Sequence, residues 1–214
     1  ACRPTPASPL PLPRHLTRTA PARSLRPPWT LGWAGTGFAF DNELAPQRVA
    51  LQAFRIDDRP VSWDRFDAFV QAGGYADRRW WSDEGWAWRQ QARAAQPQFP
   101  RGQAPAAHLS LHEAQAWCAW AGRRLPTEAQ WECAALTQPG FAWGQAWEWT
   151  ASPFEPFCGF TPHPYLDYSQ PWFGSRQVLR GACEATSATL AHPRYRNFFE
   201  PHRTDVHSGF RSCA

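Results

Sequence analysis

The chain has 214 residues and a formal net charge of +4, from 22 basic and 18 acidic side chains. That length supports one sizeable domain with its own core, and no apolar run is long enough to span a membrane. The arginines are scattered and mixed with acids rather than gathered on a tail or a face, which argues against a nucleic-acid binder.

Residues 1–28 hold eight prolines and several arginines without periodicity, a composition that buries too little surface to offset its ordering entropy. They read as an arm or linker, with the globular domain over residues 29–214. The chain has no methionine, so Ala1 is expected to follow processing or to lie inside a longer chain, and an opening linker fits a partner domain ahead of it. All basic residues are arginine, Ile56 is the single isoleucine and Asn42 and Asn197 are the two asparagines. Lysine, methionine, isoleucine and asparagine all use codons beginning with A, so this is the bias of a GC-rich, bacterial genome.

From Arg48 to Ile56, Val49, Leu51 and Phe54 stand in a mostly alternating apolar and polar run, which predicts a strand. Ser62 is placed to cap a helix with Phe66, Phe69 and Val70 on one face, ended by Gly73-Gly74. Ser110 and Glu113 have the spacing of a capping box for a second helix, with Ala114, Trp117, Cys118 and Ala121 inward and Gly122 closing it. Thr127 and Gln130 repeat the device for a third helix through Trp131, Ala134 and Ala135. From Gly144 onward, glycine, proline and aromatic residues alternate with short extended pieces, the pattern of a loop-rich α+β domain. A domain with few long ladders needs large side chains for burial, so most of the 14 tryptophans are expected in the core with their N–H groups on loop backbone.

The six cysteines, Cys2, Cys118, Cys133, Cys158, Cys183 and Cys213, include no Cys-x-x-Cys, so neither a zinc ribbon nor a redox dithiol is signalled. Cys118 and Cys133 fall in helical patterns and read as small buried hydrophobes. No secretory h-region is visible, and a reducing cytoplasm is the expected compartment. His108 and His112 stand four apart, the spacing of a zinc helix. Ser110 caps that helix, however, so His108 precedes the first turn and the imidazoles need not converge. His202 and His207 lie in a charge-rich loop and read as surface or substrate contacts, and no metal ligand set is assigned to this chain.

Several motifs follow one another in order: Arg124-Leu-Pro-Thr-Glu-Ala-Gln-Trp-Glu132, Trp147-Glu-Trp-Thr150, Gly159-Phe160, Pro164-Tyr-Leu-Asp-Tyr168, Val178-Leu-Arg-Gly181, Tyr195-Arg-Asn-Phe198 and Gly209-Phe-Arg211. Over roughly residues 30–214 this order resembles the formylglycine-generating-enzyme-like fold, a loop-rich α+β fold related to C-type lectins. Pro-Tyr-x-x-Tyr followed by Tyr-Arg-Asn-Phe most resembles the C-terminal domain of ergothioneine-type sulfoxide synthases.

That resemblance implies an Fe(II)- and O2-dependent enzyme joining sulfur or selenium to the imidazole of hercynine. Its iron would be held by an N-terminal DinB-like domain outside this chain. It implies a catalytic Tyr165, whose phenol, with an ordinary pKa of about 10, can donate a proton or hydrogen atom. Tyr168, Arg203, Asn197 and Phe199 are the implied substrate-binding residues, with the planar fork of Arg203 suited to a carboxylate. Where enzymes of the family that use γ-glutamylcysteine carry an aspartate, this chain has Phe199, which points to another donor, free cysteine or a selenosugar. Cys183 in place of a serine after Arg180-Gly181 marks a divergent branch. A formylglycine-generating oxidase resembles the chain in several landmarks, but its paired copper-binding cysteines correspond here to Thr186 and Ala191. A binding module or inactive remnant on the same fold is the non-enzymatic alternative.

Overall fold

Side-chain caps and short aromatic strands set the architecture. The computed structural model describes residues 19–20, by backbone alone, 28–98 and 105–214. The expected arm over 1–28 therefore lies almost wholly outside the described residues. The strands are β1 (Thr19–Ala20), β2 (Trp29–Leu31), β3 (Gln47–Val49), β4 (Ile56–Asp57), β5 (Trp147–Pro153), β6 (Gln177–Gly181), β7 (Asn197–Phe199) and β8 (Ser208–Phe210). The helices are α1 (Trp63–Gln71), α2 (Asp83–Gln91), α3 (Leu111–Trp120) and α4 (Glu128–Thr137). The result is an α+β fold, as the sequence predicts.

Three predicted helices form where their caps stand. Ser62 Oγ accepts from Arg65 N at 3.5 Å to open α1, which buries Phe66 and Phe69 before Gly73 turns the chain at φ +77°. The Ser110–Glu113 box closes in both directions, Ser110 N donating to Glu113 Oε2 at 2.8 Å and Glu113 N to Ser110 Oγ at 3.2 Å. Thr127 and Gln130 do the same at 3.2 and 3.0 Å for α4. Trp117, Cys118, Trp131, Cys133 and Ala134 are buried, whereas Ala121 and Ala135 are only half-buried. The sequence reading omitted α2. Its Ser82 cap accepts from Gly85 N at 3.0 Å, but Gly85 is its single buried residue, so it carries no apolar stripe to announce a helix.

The strand predicted over 48–56 is split in two. β3 pairs with β2 and β4 with β1, both antiparallel. Between them the chain leaves the first partner and meets the C-terminus, where Arg55 and Ala214 exchange backbone hydrogen bonds at 3.1 and 2.8 Å. Alternation there records one-sided burial, with Phe54 and Ile56 inside, while the pairing partner changes along the run.

The main sheet has the order β7-β6-β5-β8, with β5 antiparallel to β6 and parallel to β8. Its pairing sets Glu148 opposite Arg180 and Phe198 opposite Val178. Trp63, Trp81, Trp117, Trp131, Trp147 and Trp149 are buried. Trp149 Nε1 donates to Leu109 O at 2.7 Å and Trp81 to Gly74 O at 2.9 Å, loop carbonyls as expected, whereas Trp117 donates to Arg65 O within α1 at 3.0 Å and Trp131 to the Glu148 carboxylate at 2.8 Å. No helix among the described residues is long and apolar enough to cross a membrane.

Candidate functional site

A buried ionic lattice fixes the loops beside the main sheet. Glu128 and Glu132, one turn apart on α4, share Arg180 of β6, whose Nη2 and Nη1 reach them at 2.8 and 3.0 Å. Arg196 adds Nε to Glu128 at 2.9 Å and Arg194 adds Nη1 to Glu132 at 2.9 Å. Arg196 also donates to Asn42 O at 2.7 Å and Glu155 O at 3.0 Å, and its guanidinium lies 4.1 Å from the Phe157 ring centre. Although burial opposes its charge, Arg196 and Arg180 hold the Glu128 carboxyl below its ordinary range. A second buried pair, Arg211 with Glu148, ties β8 to β5 through two bonds of 2.5 and 2.7 Å.

Against this lattice lies the turn Asp41–Glu43, whose three residues are all fully buried. Asp41 accepts from Ser169 Oγ and from His163 N at 3.3 Å, and Ser169 Oγ accepts from Asn42 Nδ2 at 3.0 Å. These bonds pin the residue next to Tyr168. Its ring then stacks on Phe40 with centres 4.3 Å apart, and its hydroxyl lies 3.4 Å from that of Tyr195. Tyr195 packs edge-on against Trp147 at 5.1 Å and stacks on Phe40 at 5.3 Å. Burial pushes the phenols of Tyr168 and Tyr195 above their ordinary range, so both are protonated hydroxyls at neutral pH.

The five residues singled out from sequence fall into two neighbourhoods. Tyr165 is 68 % exposed and begins the turn that Tyr168 ends, its carbonyl accepting from Tyr168 N at 3.3 Å. Phe198 meets Tyr168 at 6.1 Å and stacks on Phe154 at 4.0 Å. Asn197 and Phe199 alternate with Phe198 along β7 and so stand on its opposite face. Phe199 packs against the main core and carries the Arg203 guanidinium 5.3 Å above its ring. Asn197 Oδ1 accepts from Phe198 N at 2.9 Å. Arg203 is committed to Asp205 through bonds of 2.5 and 2.7 Å, with Glu200 at 3.8 Å. A ligand carboxylate would have to displace Asp205 from that fork. Phe40 and Tyr195 were missed as neighbours of Tyr168, because they come from segments far from it in sequence, and Glu43 was missed beside His192, because a turn of three polar residues read alone gives no sign of being buried.

The histidines four apart go separate ways. His108, with φ +60°, turns to His207 at 5.0 Å, whereas His112 packs on Trp88 at 5.6 Å. His112 and His202 line a cavity of about 540 Å³ with Glu84, Ala87, Trp88, Gln91 and Ala92. Burial lowers the His112 pKa. Among the described residues no group of three or more His, Cys, Asp or Glu side chains could hold a metal ion. Cys183 is half-buried with Sγ 3.6 Å from Thr186 Oγ1, and Cys118, Cys133 and Cys213 are buried free thiols.

The comparisons with known proteins agree with this architecture. The chain is 35 % identical to hercynine oxygenase of Mycolicibacterium thermoresistibile, the alignment covering 86 % of the chain and 56 % of that protein. It is 33 % identical to hercynine oxygenase of Mycobacterium tuberculosis, over 81 % of the chain and 55 % of that protein. The chain thus spans about half the length of these relatives. PvdO from Pseudomonas aeruginosa shares the fold, with a TM-score of 0.61 at 17 % identity, over 91 % of this chain and 92 % of that one. Residues 28–145 match the family described as the sulfatase-modifying factor enzyme 1-like domain, and the chain belongs to that family.

Proposed function

We propose that this chain is the sulfatase-modifying-factor-like half of an Fe(II)- and O2-dependent synthase that forms a C–S or C–Se bond on the imidazole of hercynine. The observation that carries the reading is the 35 % identity to a hercynine oxygenase across 86 % of the chain. The described residues supply no ligand set for iron, and the proposed holder of the metal is an N-terminal DinB-like domain. The bound metal would supply oxygen activation. This chain's residues bind, orient and manage protons.

In this reading Tyr165, the most exposed of the site's rings, gives its phenolic proton or hydrogen atom to the reacting centre at the domain boundary. Tyr168 is held by Phe40 and the Asp41–Ser169 bond as a protonated donor on the same turn. Arg203 takes a substrate carboxylate by exchanging it for Asp205, and Asn197 and Phe199 shape that side of the site. Phe199 offers no acid to an ammonium group, which favours a donor other than γ-glutamylcysteine. The cytoplasm is the proposed compartment. The positions resembling the paired thiolates of formylglycine-generating enzymes are Thr186 and Ala191, leaving Cys183 alone, so that oxidation is not proposed.

The test is the full-length protein with Tyr165→Phe. The expected outcome is a rate loss of at least about tenfold, or a changed product ratio, with hercynine binding retained. A variant that keeps both rate and product distribution contradicts the role given to Tyr165.

A further inference from the structure

The proposed reaction leaves Tyr195 without a role, yet its hydroxyl lies 3.4 Å from that of Tyr168. Both rings stack on Phe40, at 4.3 Å for Tyr168 and 5.3 Å for Tyr195, and both are half-buried. The two phenols are held differently. Tyr195 stands in the chain between Arg194, bonded to Glu132 at 2.9 Å, and Arg196, bonded to Glu128 at 2.9 Å, both anchored in the buried lattice. Trp147 meets its ring edge-on at 5.1 Å. Tyr168 instead rides on the turn that begins at the exposed Tyr165, between Asp167 and Ser169, and Ser169 is bonded to Asp41. A pair of hydroxyls carries two protons, of which one fills the bond between them and the other is free to leave.

We propose that Tyr195 is a positioning residue that acts through Tyr168, orienting its hydroxyl and replacing the proton it gives up. The inference rests on the reading that Tyr168 is a proton donor to the substrate. As the Tyr168 O–H bond breaks toward the substrate, the Tyr195 O–H bond breaks toward the Tyr168 oxygen. Tyr168 is again a neutral hydroxyl, and the negative charge stays on Tyr195, where the re-formed Tyr168 O–H donates to it. Only protons move, and the pair is refilled from water. The surroundings favour charge on Tyr195 over Tyr168: arginines flank Tyr195 in the chain, whereas Asp167 and Asp41 stand beside Tyr168. Glu43 opposes charge on either phenol, and His192 faces Tyr195 at 6.1 Å between ring centres. Burial raises both phenols, and the bond between them then lowers Tyr195 and raises Tyr168.

The test replaces Tyr195 or Tyr168, one at a time, by 2,3,5-trifluorotyrosine in the full-length protein and follows the phenolate absorbance of each against pH. The expected result is a lower midpoint at position 195 than at 168. Tyr168→Phe keeps the ring and removes the donor to the Tyr195 oxygen, so the midpoint at 195 should rise by about one unit in that variant. Should Tyr168→Phe fail to fold, the order of the two midpoints still decides. In turnover, Tyr195→Phe should lower kcat about tenfold with KM within about twofold of wild type. In a Tyr168→Phe background the same change should have no further effect, because Tyr195 acts only through that hydroxyl. A lower midpoint at 168, a midpoint at 195 that does not rise in Tyr168→Phe, or losses that multiply in the double variant would overturn the proposal. The titration needs neither substrate nor turnover, so its failure is distinguishable from failure of the proposed reaction.

Discussion

Arg180 shows how one residue's surroundings outweigh its type. It was legible as part of Val-Leu-Arg-Gly, yet nothing in that run says it is fully buried between two carboxylates from one helix. Replacing it with Met leaves Glu128 and Glu132 facing each other in low dielectric with less cationic compensation. The expected cost is about 3–5 kcal/mol in urea unfolding, because breaking a buried network strands its partners. A loss under about 1 kcal/mol would mean that Arg194 and Arg196 suffice. Glu43 is the converse case, a buried acid without a bonded cation. His192 comes within 3.5 Å of it, and His163 and Ser169 bond its turn, all from distant parts of the chain, and no local pattern encodes that meeting.

At the scale of elements, legibility followed the local signal. Helices α1, α3 and α4 each carry a Ser or Thr cap and an apolar face, and all three formed where those signals stand. The cap of α3 does more than end a helix, since Glu113 also accepts from the Tyr75 hydroxyl. Ser110→Ala removes the hydroxyl that Glu113 N and Glu113 Oε2 both use. Thermal or urea unfolding should show about 1–2 kcal/mol of destabilisation. Helix α2 escaped detection because its Trp and Arg faces are partly solvated, and the run 48–56 read as one strand because alternation reports burial without naming the partner. The sheet order β7-β6-β5-β8 could not be read locally, because the parallel pairing of β5 with β8 joins residues some sixty positions apart.

For the whole molecule, buried acids give opposite pH dependences that can be separated. Glu128 is held below its ordinary range, so its contribution is present above about 4.5 and lost as pH falls through its folded value. Glu43 is raised from 4.5 to about 7, so the folded state keeps a proton that the unfolded chain has released, and stability falls as pH rises across that window. The Glu43 effect is on the order of 3 kcal/mol in full. Wild type should therefore lose stability relative to Glu43→Gln between pH 4.5 and 7, measured by chemical unfolding at fixed ionic strength. A constant difference between the two proteins would contradict a protonated Glu43.

The family was legible in sequence because its landmarks are short, aromatic and ordered along the chain. The two separate neighbourhoods of Tyr168 and Arg203 were not, since Tyr168 meets Phe198 and Arg203 meets Phe199, which point to opposite faces of β7. The reading of this fold as half of a carbon–sulfur or carbon–selenium bond-forming enzyme is tested most directly by one incubation. The full-length protein, loaded with Fe(II) under air, is given hercynine with cysteine, γ-glutamylcysteine or a selenosugar, and products are followed by mass spectrometry. The account predicts that hercynine is consumed into a sulfur- or selenium-bearing adduct, with γ-glutamylcysteine the poorer donor. Iron-loaded, folded protein that leaves hercynine unchanged with all three donors would contradict it.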